Sequence, residues 1–361
     1  MSEPTTTTRA VRQLWLAVAA GDERGAAAVV HAALAQGVSE EAILLEVIAP
    51  VQEKVGAEWA ADRLSVAQEH AATAINERVI ATLTRHPGGS RPAADRGRVT
   101  VSCVDGEWHA LPARLVAEVL TLRGWRVDYL GAQTPTPHLI AHLHLTNPDA
   151  VLLSGSITTH LPAAHAAVTA SQAIGVPVLA GGRAFGPAGR YARALGADRW
   201  AADARAAADV LEKGIPRPDA PAVRHVVDDL PHLADQEYTM VVQSRPRLVK
   251  RTLADLEHRF PAMSVYSVAQ RDRTAEDIAH IIDFLTTALY VADPEVLTAF
   301  MTWTADILTA RGVPAHSLLA GLDTLADQLH DFPRTQKLLE RAATAVTEHT
   351  VRPAPDTRTS A

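Results

Sequence analysis

The 361-residue sequence contains one cysteine, Cys103, and few aromatic residues (4%). With a single thiol the chain cannot form an internal disulfide. No block of Lys or Arg stands out against a formal net charge of -7, which argues against binding nucleic acid through a basic face. The sequence has no apolar signal segment near its start and no apolar run of membrane-spanning length. These features predict a cytoplasmic globular protein.

Apolar residues are plentiful (47%), and their spacing changes along the chain. Helical spacing predicts a four-helix cap, because Val11, Leu14, Trp15 and Val18 fall on one helix face. β-Branched runs then alternate with helical stretches, which is typical of a flavodoxin-like, doubly wound parallel sheet. A Pro-rich linker, an all-helical globin-like domain and a disordered tail follow. The predicted segments are 1–88 (cap), 89–215 (Rossmann-like sheet domain), 216–240 (linker), 241–350 (helical domain) and 351–361 (tail).

The loops after the strands are the expected ligand site, because ligands of such sheets bind at the carboxyl ends of the strands. Glu107 lies two residues before His109 after the first strand, so its carboxylate could orient the imidazole and strengthen it as a metal ligand. The third strand ends in small residues and the fourth in two glycines, which permit close backbone contact with a ligand. The rival interpretation is a flavodoxin-like FMN site. That site would need a hydroxyl-rich phosphate loop after the first strand, and the segment DGEWHALP at this position does not supply one. The ligand-accommodating strand ends are Ser154-Gly155-Ser156 and Gly181-Gly182.

The series Glu107-Trp108-His109, Ser154-Gly155-Ser156 and Gly181-Gly182 resembles the cobalamin-binding domain of methionine synthase and its relatives. The resemblance implies a cobalamin cofactor whose own base is displaced from cobalt by His109, with the nucleotide tail buried beside the sheet. It also implies that Trp108 and Thr158 contact the cofactor. Pro112 stands where the family motif has glycine, which changes the loop after the ligand.

The cap carries Trp59 followed, after nine residues, by Glu69-His70. This pattern resembles the cap of CarH-type light-sensing repressors, in which the tryptophan and the Glu-His pair accommodate an adenosyl group. The resemblance therefore implies adenosylcobalamin. Those repressors have a histidine next to the tryptophan, which binds cobalt after photolysis. Ala60 occupies that position here, so we expect that the same exchange of ligands cannot occur.

The C-terminal helical segment, paired with such a cap, resembles photocobilins, which combine adenosylcobalamin with a linear tetrapyrrole such as biliverdin. A bilin needs cations for its propionates and polar groups for its pyrrole nitrogens. Arg271 and Arg273 are expected just before a helix on which His280 and Asp283 share a face, close to Tyr290. Since Cys103 belongs to the first strand, any bilin would be bound noncovalently. A haem pocket is the rival interpretation for the same residues.

These resemblances predict a light-sensing protein rather than an enzyme, in which cleavage of the cobalt–carbon bond drives a conformational or oligomeric switch. A homodimer is expected. Direct DNA binding is not, because the cap begins almost at Met1 and leaves no room for the repressors' helix-turn-helix domain. The alternatives are a corrinoid methyl carrier serving a partner methyltransferase and a light-independent cobalamin sensor. A mutase would need a substrate barrel, which we do not find in the sequence.

Overall fold

A computed structural model describes residues 5–83, 93–218, 235–259, 263 and 265–351. The chain divides into two compact units, Met1–Val227 and Asp228–Ala361. The predicted tail beyond Val351 and the centre of the predicted linker 216–240 lie outside the described residues.

The N-terminal residues form the predicted helical cap. Side chains of Thr5, Asp22 and Ser39 accept hydrogen bonds from the first turns of successive helices and so fix where those helices begin. The chain stays helical through Pro50, and a π-helical stretch runs just before this proline, which has no N–H to donate. The elements are α1 Thr6–Ala19, α2 Glu23–Ala35, α3 Glu40–Ala42, a π-helix Ile43–Ile48, α4 Ala49–Ala60 and α5 Val66–Leu83.

The second half of the first unit is a five-stranded parallel sheet in the order β2-β1-β3-β4-β5. This order confirms the predicted flavodoxin-like topology, in which the order reverses between β1 and β3 and leaves a ligand crevice at their carboxyl ends. The strands are β1 Arg98–Cys103, β2 Arg126–Gly131, β3 Ala150–Ser154, β4 Val178–Gly181 and β5 Arg199–Ala201. The helices are α6 Ala110–Leu122, α7 Thr136–Thr146, α8 Leu161–Ala173, α9 Arg190–Ala194 and α10 Ala204–Glu212.

The cap and the sheet domain share one apolar core, because Leu111, Leu115 and Val119 of α6 are buried among the cap helices. Charged side chains tie the same interface. Glu41 of the cap accepts two hydrogen bonds of 3.1 Å from the Arg123 guanidinium and one of 2.9 Å from Arg205 Nε. The cap is therefore held directly over the sheet domain by both packing and ion pairs.

The second unit is helical, as predicted. Its first helix begins at Glu237, a few residues before the predicted start of this domain at 241, and contains Pro246. Ser267 and Gln270 form a capping box at the start of the next helix. Arg271 and Arg273 therefore lie inside that helix, and their expected position just before it is wrong. The helices are α11 Glu237–Arg259, α12 Val268–Val291, α13 Glu295–Ala310, α14 Ser317–Gln328 and α15 Pro333–Val351. Among the described residues, none of the helices has the length and apolarity needed to cross a membrane.

Candidate functional site

Glu107 is the centre of the loop that follows β1, and it is only 1% exposed. Its Oε1 accepts hydrogen bonds from His109 Nδ1 at 2.6 Å and from the His109 backbone N–H at 3.0 Å. Its Oε2 accepts the backbone N–H groups of Ser156 at 2.6 Å and Ile157 at 3.0 Å. One buried carboxylate thus joins the loop after β1 to the loop after β3. It holds the His109 ring in a single orientation.

The electrostatics of this pair follow from those contacts. Burial alone would raise the pKa of Glu107, but hydrogen bonds from His109 and from backbone N–H groups, together with the nearby His160 imidazole, hold that pKa well below its usual range. The hydrogen bond to Glu107 in turn raises the pKa of His109, and burial opposes part of this rise. With Nδ1 bound to the carboxylate, Nε2 lies on the other side of the ring. The side chain is 58% exposed, so Nε2 is the nitrogen that can bind a metal.

His160 is a site residue that sequence reasoning missed. It ends the short 3-10 helix Thr158–His160, and its Nδ1 lies 3.5 Å from Glu107 Oε2. Its ring also faces Gly106, whose backbone has a φ of +86°; a Cβ there would lie 3.5 Å from the imidazole. Glu107 therefore lies between two histidines, one exposed and one partly covered. Nothing in the local spacing signals this contact, because His160 follows a different strand.

The strand ends predicted to accommodate a ligand line one cavity of about 210 Å³. Ser154, Gly181 and Gly182 form part of its wall, and Leu45 and Ala49 of the cap close another part. Apart from Ser154 and Asp203, its lining side chains are apolar or absent. A glycine is required at 182, where φ is +100° and a Cβ would lie 2.2 Å from the Gly155 carbonyl oxygen. Ser156, predicted to flank the ligand, contributes its backbone N–H to Glu107 instead of lining the cavity.

Pro112 lies in the first turn of α6 and contributes to the cavity wall. N–H groups in the first turn of a helix have no partner within the helix, so a proline costs no hydrogen bond there. Pro112 therefore fits the first turn of α6 without the loss of a backbone hydrogen bond. His109 occupies the residue directly before that helix.

Trp108 follows Glu107 and is 76% exposed, so its indole lies on the surface beside His109. Trp59 lies in the last turn of α4 and is half-buried, and Ala60 is the last residue of that helix. Glu69 and His70 lie in the first turn of α5, where Glu69 Oε2 is 2.8 Å from His70 Nδ1. The charge of Glu69 contributes to the raised pKa of His109.

The residues predicted for a bilin are placed differently, each within the second unit. Arg271 forms an ion pair with Glu257 at 3.2 Å, and Arg273 is exposed. His280 is exposed and near Asp277, whose pKa is raised by burial and partly lowered again by this histidine.

Asp283 accepts two hydrogen bonds, of 2.5 and 2.7 Å, from Arg245. Tyr290 is buried edge-on against Tyr238, with ring centroids 5.0 Å apart. Burial raises the pKa of Tyr290 to about 12. These two side chains are therefore engaged in contacts between helices α11 and α12.

Residues 97–210 match the family described as B12 binding domain, and residues 10–84 match a second family with the same description. The two matched segments are the sheet domain with His109 and the cap with Trp59 and Glu69. The chain is therefore a cobalamin-binding protein.

Among solved structures, the chain is similar to the monomethylamine corrinoid protein of Methanosarcina barkeri, with 20% identity over 57% of this chain and 98% of that one and a TM-score of 0.47. It is also similar to a cobalamin-binding protein of Desulfitobacterium hafniense DCB-2, with 21% identity over 56% and 97% and a TM-score of 0.31. For the methanol:cobalamin methyltransferase complex of Methanosarcina barkeri the identity is 17%, the coverage 57% and 79%, and the TM-score 0.30. No curated protein matches the chain.

Proposed function

We propose that the chain binds cobalamin with His109 Nε2 as the lower cobalt ligand and shelters an adenosyl group as the upper ligand beneath the helical cap. The observation that carries this proposal is the fixed Glu107–His109 pair. The largely apolar cavity of about 210 Å³ beside the sheet suits the buried nucleotide tail.

Each residue has a defined task in this proposal. Glu107 binds the Nδ1 side of His109, which leaves Nε2 for cobalt and increases its strength as a donor. Glu69 would accept hydrogen bonds from the ribose hydroxyls of the adenosyl group, and the indole of Trp59 would cover that group. When bound, cobalamin supplies a cobalt–carbon bond that light can cleave. If the adenosyl group were lost, the cap would lose a ligand that favours one of its positions over another.

Green-light illumination of the adenosylcobalamin-loaded protein tests the light-sensing role. We expect a change in the visible spectrum and a change in sedimentation, starting from a dark-state homodimer. Spectrum and sedimentation that both keep their dark values would contradict light sensing and favour a light-independent sensor. His109→Ala tests the ligand itself. It should weaken cobalamin binding and abolish the spectrum of histidine-ligated cobalt.

A methyl carrier for a partner methyltransferase is the second candidate. It is favoured by Ala60, which ends α4 beside Trp59 and offers no side chain that could bind cobalt after photolysis. The two functions share His109 and differ in the upper ligand. Tighter binding of methylcobalamin than of adenosylcobalamin would favour the carrier.

The helical unit 228–361 is proposed to bind biliverdin noncovalently, with exposed Arg273 and His280 available to it. Arg271 and Asp283 already have ion-pair partners, so a bilin that used them would have to replace Glu257 and Arg245. Adding biliverdin to the full chain should produce a red-shifted visible band that decreases in Arg273→Ala. An unchanged free-biliverdin spectrum would contradict this part of the proposal.

A further inference from the structure

A row of polar side chains crosses the cap between α4 and α5 and ends at Glu69. Asn76 Nδ2 lies 2.8 Å from Gln52 Oε1, and Gln52 Nε2 lies 2.7 Å from Thr73 Oγ1. The Thr73 hydroxyl lies 2.9 Å from Glu69 Oε1. Three hydrogen bonds thus join a residue of the bundle core to the carboxylate proposed above to contact the upper ligand.

The direction of these bonds follows from the carboxylate. An ionised Glu69 can only accept, so the single hydroxyl proton of Thr73 must point to it. The Thr73 oxygen is then left to accept, which requires the amide nitrogen of Gln52 on that side. The Gln52 oxygen consequently accepts from the amide nitrogen of Asn76. Every donor in the row points toward Glu69, and the row favours one orientation of its carboxylate.

The starting point of the row is unusual for its surroundings. Asn76 is completely buried, and its neighbours on α5 include the buried apolar residues Ala72, Ile75 and Ile80. Its Oδ1 has no hydrogen-bond partner among the described residues. Burying an amide with an unpartnered oxygen is unfavourable, and an apolar side chain would avoid that cost. The contact that Asn76 does make is the one that orients Gln52.

Glu69 itself is only partly fixed by other contacts. Its Oε2 lies 2.8 Å from His70 Nδ1, while His70 Nδ1 is also 2.9 Å from the Val66 carbonyl oxygen. The Glu69 side chain is 27% exposed, so a bound group can reach it. Without Thr73, one of its two oxygens would lose its hydrogen-bond donor.

We propose that Gln52, Thr73 and Asn76 are positioning residues that hold Glu69 as an oriented acceptor for a hydroxyl-bearing upper ligand. They thereby make the cap select such a ligand over a methyl group. This inference rests on the proposed function, because it requires an upper ligand at Glu69. A correctly oriented carboxylate strengthens the binding of a ligand with ribose hydroxyls, which donate hydrogen bonds to it. It does not change the binding of a methyl group, which offers no donor.

The test compares dissociation constants for adenosylcobalamin and methylcobalamin, measured in the dark by absorbance titration of the full chain. Thr73→Val keeps the side-chain shape and removes the hydroxyl. It should reduce the preference for adenosylcobalamin about tenfold, since an acceptor bond involving a charged group is lost or misaligned. The dissociation constant for methylcobalamin should stay within about twofold. Thr73→Ser should restore the preference, and Gln52→Met should reduce it as Thr73→Val does.

Thr82→Val is the matched control, because the Thr82 hydroxyl bonds the Val79 carbonyl within the same helix and does not join the row. It should leave both dissociation constants unchanged. Equal weakening of both cobalamins by Thr73→Val, or no change in their ratio, would overturn the positioning role. A wild-type chain that shows no preference for adenosylcobalamin would instead overturn the proposed adenosyl ligand, and the inference with it.

Discussion

Glu107→Gln is the most informative single substitution, because it keeps the shape of the buried side chain and removes its charge. Glu107 accepts four hydrogen bonds, two at each oxygen. An amide has only one oxygen, so its NH2 group must face N–H donors on one side. If it faces the loop after β3, the N–H groups of Ser156 and Ile157 lose their acceptor.

The magnitude follows from these contacts. Hydrogen bonds to a charged group contribute about 1.5 to 3 kcal/mol each and neutral ones about 0.5 to 1.5, so weakening the two retained bonds costs about 2 kcal/mol. Each of the two donors left without an acceptor costs about a further 1 kcal/mol, the lower end of the range for a buried donor, because Ser156 and Ile157 are only half-buried. We therefore expect the free energy of unfolding of the first unit to fall by about 3 to 5 kcal/mol. Cobalamin affinity should fall about 10- to 100-fold, because His109 loses the carboxylate that orients it.

Urea denaturation of the cofactor-free protein and titration with cobalamin measure the two effects. Glu237→Gln is the matched control. Glu237 is also buried and accepts the backbone N–H groups of Arg334 and Thr335, but it lies in the second unit. It should destabilise that unit and leave cobalamin affinity unchanged. A Glu107→Gln protein within about 1 kcal/mol of wild-type stability and within about twofold in cobalamin affinity would refute the reasoning.

Three further outcomes are expected. Burial raises the pKa of the Cys103 thiol to about 12. Iodoacetamide at pH 8 should therefore modify this thiol only after the protein unfolds, as followed by mass spectrometry, and rapid labelling of the folded protein would contradict this. Gly182→Ala should lower the free energy of unfolding, measured in urea, by at least about 2 kcal/mol, because the new Cβ would overlap the Gly155 carbonyl oxygen and the backbone has a positive φ. An unchanged urea midpoint would contradict this. The hydrogen bond from Arg123, aided by Arg205 and opposed by burial, lowers the pKa of Glu41. Its stabilising contribution is present at neutral pH and is lost as the pH falls below about 5. Glu41→Gln should therefore be less stable at pH 7 and lose less stability on acidification, and thermal melts with equal pH slopes for both proteins would contradict this.

The order of elements in the first unit was predictable from local pattern alone. A helix shows its apolar face every three to four residues and a buried parallel strand is a short apolar run, so both can be found without knowing what they pack against. Where local signals were mixed, the prediction failed. Arg271 was predicted just before a helix, but the capping box of Ser267 and Gln270 begins that helix earlier and places Arg271 within it.

By itself, the sequence determined the features that depend on neighbouring residues: the helical cap, the alternation of strands and helices, and the Glu107–His109 pair, whose two members are close along the chain. Tertiary structure alone decided the contacts between distant segments. It placed His160 beside Glu107, joined the backbone N–H of Ser156 to Glu107, and joined buried Asn76 through Gln52 and Thr73 to Glu69. The physical reason is that a hydrogen bond between two elements depends on how those elements pack, and no local periodicity records that packing.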